Sequence, residues 1–232
     1  MTLCIICVAI GALLLAAYIP AKIKEYSTRV TILKSLVSVM FIATAAAAAV
    51  VSGYGSFAGL LILGLLFGLL GDIWLDLKFV YPDEDTIYTY AGFCVFAVGH
   101  LLFIAALLLN FADFSKPIYI IAPIIISIIA GIVNVKLGPV MKLDFGKFKG
   151  ITMLYGAILF SMTLISGSLA LMNGWQVTTL NLMFIGGISF LISDLVLSGT
   201  YFGGKERPID IILNYITYYG AQFIIALSIA FI

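Results

Sequence analysis

Long, unbroken apolar stretches joined by connections of a few residues make up almost the whole chain, and few architectures can use such a pattern. A helix that crosses a hydrocarbon core needs about 20 mostly apolar residues. Eight stretches reach that length, at roughly residues 2–19, 31–51, 56–77, 88–110, 117–136, 150–172, 176–200 and 208–231. In lipid, each backbone amide must be bonded within its own segment or around a closed barrel. Barrel strands alternate apolar and polar positions over about ten residues, whereas these runs are continuously apolar. The expectation is an all-α polytopic membrane helical bundle of about eight transmembrane helices, a single integral membrane domain over 1–232 with no separate unit outside the bilayer. Composition points the same way. The chain is 63% hydrophobic and 10% charged, against roughly 45–50% and 25% in soluble domains, and no soluble interior could hide that excess.

The charged residues give an orientation. The first stretch has no basic segment ahead of it, and the cluster Lys22, Lys24 and Arg29 follows it, so it reads as a retained helix and not as a cleaved signal. Basic residues in short loops mark the cytoplasmic side. Connections 1–2, 3–4, 5–6 and 7–8 hold Lys22, Lys24, Arg29, Lys78, Lys136, Lys142, Lys147, Lys149, Lys205 and Arg207, and the alternate connections hold only Lys116. Odd-numbered connections are therefore expected in the cytoplasm and both termini outside. The compact loops suit a bacterial inner (cytoplasmic) membrane. A net charge of +1, with no basic patch interleaved with aromatics, gives no reason to expect a nucleic-acid partner. Cys4 and Cys7 form a CxxC inside an apolar span with no second pair and no neighbouring histidine, which suits packing as small hydrophobes better than metal binding.

The sequence also resembles itself. Sliding the chain so that Gly64 lies over Gly186 sets ILGLLFGLLGDIWLDL on FIGGISFLISDLVLSG, and Asp72 on Asp194. The same shift lays His100 on Gln222, within FAVGH and YYGAQ. Helices 3 and 7 would then run the same way, as would 4 and 8. This suggests two parallel four-helix repeats, 1–115 and 116–232, related by an axis along the membrane normal.

Ionisable groups inside a span are costly, and they face the bundle interior or a wet cavity. Here they are Lys34, Asp72, Asp76 and Asp194, with His100 the single histidine. At about 1.5 Å of rise per residue, the three aspartates and Lys34 fall within the cytoplasmic leaflet and His100 lies deeper. In the eighth stretch, Tyr215, Tyr219 and Gln222 share one helical face, with Tyr218 beside it. A cytoplasm-facing polar cavity is the expected site, with Asp72 and Asp194 at its centre. Each residue also has a plainer reading. Lys34 can snorkel to the interface, Asp76 can be a helix-end group, and His100 can be a hydrogen-bonded packing residue. Asp72 and Asp194 can pair structurally with Lys34 or with tyrosine hydroxyls. Gly64 and Gly68 form a GxxxG, which most often serves close helix approach. No HExxH, Walker A, GxSxG or repeated Cys/His spacing occurs, so neither a metal nor a cofactor is expected.

In order along residues 30–225, GLLFGLLGDIWL, FCVFAVGHLLFIAAL, GGISFLISDLVLSGTYF and NYITYYGAQFII resemble the YhhN family, also called the lysoplasmalogenase family. Phe103 departs from the pattern, which has a tyrosine after the GH motif. The resemblance implies an ether-bond hydrolase that cleaves the vinyl ether of lysoplasmalogens (lysoplasmenyl-choline or -ethanolamine) into a fatty aldehyde and a glycerophospho head group, so the partners would be a lysophospholipid and the surrounding membrane lipid. Vinyl ether hydrolysis starts with protonation of the alkene carbon, giving an oxocarbenium ion that water captures. It calls for a carboxylic acid kept neutral and a second group that orients water and stabilises positive charge. Asp72 and Asp194 can divide these roles, as paired carboxylates do at glycosidic bonds. Lys34 can neutralise the substrate phosphate as a point charge, and His100, Tyr215, Tyr218, Tyr219, Gln222 and Asp76 can orient substrate or water. Two other classes use the same features. A small-solute or lipid transporter could couple protons through Asp72 or Asp194. An intramembrane aspartyl protease also uses two aspartates, but Gly71-Asp72 lacks the second glycine of GxGD and no PAL tripeptide occurs.

Overall fold

The computed structural model describes residues 1–204 and 207–232; Lys205, one of the basic residues counted above, lies outside them. The apolar stretches become helices α1 (Thr2–Lys24), α2 (Thr28–Ser52), α3 (Ser56–Val80), α4 (Asp85–Phe111), α5 (Ile118–Lys136), α6 (Lys149–Met172), α7 (Thr178–Gly203) and α8 (Pro208–Ser228). All eight are long and apolar enough to cross a membrane, and no strand occurs among the described residues. The protein is an all-α, multi-pass membrane bundle.

Local chemistry sets several helix ends. Ser27 accepts a hydrogen bond from the Val30 amide and starts α2. Pro208 opens α8 at a position where its missing N–H costs nothing. Gly204, at φ +62°, closes α7 in the left-handed conformation. Several helices outrun the apolar stretches. Thus α1 continues through Pro20 to Lys24, and Lys22 is a buried helix residue, not the loop residue expected from hydropathy. Lys78, Lys136 and Lys149 likewise stand at helix ends.

Consecutive helices pack in the order α1–α2–α3–α4 and again α5–α6–α7–α8, and the two sets join through α2–α8 and α4–α6. Helices α3 and α4 approach each other closely. A Cβ on Gly64 would sit 2.9 Å from the Gly99 carbonyl oxygen, and one on Gly99 would sit 2.9 Å from that of Gly64. Under the shift that superposes Asp72 on Asp194, the same partners recur between α7 and α8. Gly64 faces Phe103 and Gly99, and Gly186 faces Ile225 and Ala221. Large apolar side chains such as Leu13 and Leu109 cover the outside, where hydrocarbon is their solvent. The ends of α1, α3, α5 and α7 and the starts of α2, α4, α6 and α8 meet at one end of the bundle. This basic end carries all the described Lys and Arg residues except Lys116 and is where the polar groups gather.

Candidate functional site

On α3, Asp72 and Asp76 are one turn apart and so share a face, and both are almost fully buried. Lys34 reaches them from α2. Its Nζ lies 3.2 Å from Asp72 Oδ1 and 3.3 Å from Asp76 Oδ1, and it donates to the Asp72 carbonyl oxygen at 3.3 Å. From α1, Lys22 Nζ meets Asp76 Oδ1 at 2.8 Å. Two ammonium and two carboxylate groups thus form a buried, formally neutral chain, Lys22–Asp76–Lys34–Asp72. Desolvating such charges is expensive, and the chain is tolerable because every member has an opposite charge beside it.

Asp72 receives more. Ser38 Oγ donates to Asp72 Oδ2 at 2.6 Å and the Tyr218 hydroxyl donates to the same oxygen at 2.8 Å. Gln222 Nε2 donates to the Tyr218 hydroxyl at 3.1 Å, and Tyr219 donates to the Lys34 carbonyl at 3.2 Å. With Lys34, three donors converge on the Asp72 carboxylate, the arrangement an anion needs. Asp194, on α7, has different surroundings. The Tyr155 hydroxyl of α6 donates to Asp194 Oδ2 at 2.5 Å; among the described residues no cation pairs with it and Oδ1 has no hydrogen bond.

Both aspartates line one cavity of about 320 Å³. Its polar wall includes Lys34, Tyr155, Tyr215 and Tyr218, and Phe93, Phe96, Leu159 and Phe190 form apolar wall. A small pocket, mainly apolar with a few converging polar groups, is the usual form of a small-molecule site. Among the described residues no three His, Cys, Asp or Glu side chains converge as metal ligands would.

Five of the nine residues singled out in the sequence border this cavity: Lys34, Asp72, Asp194, Tyr215 and Tyr218. Asp76, His100, Tyr219 and Gln222 do not. Asp76 is neither exposed nor at a helix end but holds the two lysines together. Tyr219 and Gln222 stand behind the cavity wall, bonded to groups that form it. His100 Nδ1 bonds to the Phe96 carbonyl at 2.8 Å, its ring sits edge-on to Phe190 at 4.7 Å, and its Nε2 has no partner among the described residues. Phe103 fills the space beside Gly64 and meets His100 at 5.8 Å, so the departure from tyrosine leaves an apolar contact there. Lys34, expected to face the substrate phosphate, also stands within 3.3 Å of three oxygens of α3. It donates to the Asp72 carbonyl and to Asp76 Oδ1 and pairs with Asp72 Oδ1.

Sequence reasoning passed over Tyr155, Ser38 and Lys22. Tyr155 carried the one usable signal, as the single tyrosine of its span. No signal distinguished Ser38 from the other serines of the spans. The sequence model of the YhhN family matches residues 29–229. No curated protein and no solved structure matches the chain.

Proposed function

The chain belongs to the YhhN family, and on that premise we propose that it is a membrane-embedded hydrolase of the lysoplasmalogenase type, acting on the vinyl ether bond of a lysophospholipid. One observation carries this reading: carboxylates from two different helices, one met by three donors and one by a single hydroxyl, border the same cavity.

That difference supports a division of roles between the two. Asp194, with one neutral partner and a free Oδ1, is the general acid and gives its proton to the alkene carbon. The resulting oxocarbenium ion is stabilised by the nearby Asp72 carboxylate, which Lys34, Ser38 and Tyr218 hold in its charged form. Asp72 then takes a proton from the attacking water, giving a hemiacetal. On collapse, the hemiacetal hydroxyl returns its proton to Asp194 and Asp72 protonates the departing glycerol oxygen. The products are a fatty aldehyde and a glycerophospho alcohol, one water is consumed, and both aspartates regain their starting states. Lys34 serves here by setting the charge of Asp72.

The test is aldehyde release by detergent-purified protein supplied with a lysoplasmalogen, with the ester lysophospholipid as control. Aldehyde from the vinyl ether alone, lost in folded Asp72→Asn and Asp194→Asn, is the expected result. Folded protein that yields no aldehyde across pH and head groups would remove the hydrolase reading and turn attention to transport in proteoliposomes.

A further inference from the structure

The cavity is not walled by buried residues alone. Ile192 and Leu195 border it from α7, yet 48% and 52% of their surface is exposed on the outside of the bundle. Phe160 and Gly156 on α6, Leu191 on α7 and Asn134 on α5 are partly exposed and border it too. Farther from the basic end, α6 and α7 are in close contact: Cβ atoms on Gly167 and Gly187 would run into Phe184 and Thr163. Nearer the basic end the helices meet through the Tyr155–Asp194 hydrogen bond, and beside it a Cβ on Gly156 would meet only Asn134 Nδ2, at 3.9 Å. A side chain could be added here without a clash, on a face whose exposed side chains, Ile192 and Leu195 among them, are mainly apolar.

We infer that the cavity opens sideways into the lipid between α6 and α7, past Gly156, Phe160, Ile192 and Leu195, and that the hydrocarbon chain of a single-chain amphiphile lies in this opening with its polar end toward Asp72 and Asp194. The chemistry of the two ends fits. The opening is lined mainly by apolar side chains, with Asn134 at its edge, and the carboxylates and tyrosine hydroxyls lie at the inner wall. A chain entering from the bilayer never passes through water, so the free energy of exposing each methylene is avoided. At about 320 Å³, near the lower limit for small-molecule sites, the space suits one chain segment better than two. This assignment of the occupant rests on the lysophospholipid reading of the site.

A photoreactive lysophospholipid with a saturated ether chain and a diazirine near the chain end tests the opening without requiring any bond to break. Protein in proteoliposomes is illuminated with the probe, digested, and the labelled positions are read by mass spectrometry. Label concentrated on the 156–160 and 191–195 segments, competed by excess unlabelled single-chain lipid and lost in Gly156→Phe, is the expected result. Ile126→Phe, on a lipid-facing part of α5 outside the cavity, should keep the same labelling. Label spread evenly over lipid-facing helices without competition would overturn the inference, as would rim labelling unchanged in folded Gly156→Phe. Rim labelling without aldehyde release would sink the hydrolase and leave the opening, and hydrolysis with label elsewhere would do the reverse.

Discussion

Tyr155 is the only hydrogen-bonding partner of Asp194 among the described residues, so its removal isolates the carboxyl proposed to supply the proton. A hydrogen bond to an ionisable group contributes roughly 1.5–3 kcal/mol. If that is felt only in the transition state, Tyr155→Phe should lower kcat by about ten- to a hundredfold with KM little changed. A rise in KM at constant kcat would mean that the hydroxyl binds substrate and does not position Asp194. Lys22 allows a test of stability. Its loss in Lys22→Met would leave Asp72 and Asp76 to share Lys34, an imbalance of buried charge that typically costs about 3–5 kcal/mol. The melting temperature in detergent should fall, and the double variant with Asp76→Leu should regain part of the loss; simple additivity of the two changes would argue against coupling. These residues also show what a sequence can reveal of such a site. Asp72, Asp194 and Lys34 stood out because an ionisable group in a span has few uses. Ser38 did not, because a hydroxyl in a helix can satisfy itself on the carbonyl four residues back, as Ser35, Thr44 and Ser161 do. Only packing reveals that Ser38 also reaches Asp72.

Among the helices, glycine separates contact faces from lipid faces. In α3, Gly64 is pressed against the Gly99 carbonyl and Phe103, whereas an added Cβ on Gly59 would meet nothing within 4 Å. Gly59→Ala should therefore stabilise the bundle by about 0.5–1 kcal/mol through helix propensity. Gly64→Ala has the same propensity gain but must push α3 from α4, so its net effect should be a lower melting temperature; a higher one would mean that the α3–α4 contact yields easily. The spans themselves were legible because roughly 20 apolar residues can do little else in a chain of this composition. Their ends were not. Hydropathy stops α1 near residue 19, before the turn that carries Lys22, because an ammonium looks like an interfacial group until Asp76 is seen beside it. The opening between α6 and α7 was equally hidden, since periodicity identifies an apolar face without saying whether its neighbour stays in contact along its whole length.

For the molecule as a whole, packing partners recur at one constant separation: Gly64 with Phe103 and Gly99, then Gly186 with Ile225 and Ala221. Phe96 and Tyr218 occupy matching positions under that shift, and their rings meet edge-on at 6.1 Å, as residues on either side of a two-fold axis would. Two parallel four-helix repeats would give this pattern; Asp72 and Asp194 would then be equivalent positions, the first beside Lys34 and Ser38 of α2 and the second beside Tyr155 of α6. Parallel halves put both carboxylates at the same end of the bundle, so the orientation of the chain decides which leaflet supplies the substrate. From the distribution of basic residues we propose that this end faces the cytoplasm. In a background with Cys4, Cys7 and Cys94 replaced, single cysteines at Tyr54 and Ser115, in the α2–α3 and α4–α5 connections, should react with a membrane-impermeant maleimide added to intact cells. Cysteines at Ser27 and Lys142, at the basic end, should react only after the membrane is opened. The reverse pattern would move both aspartates to the outer leaflet, and the proposed lipid substrate would then enter from the outer face of the membrane.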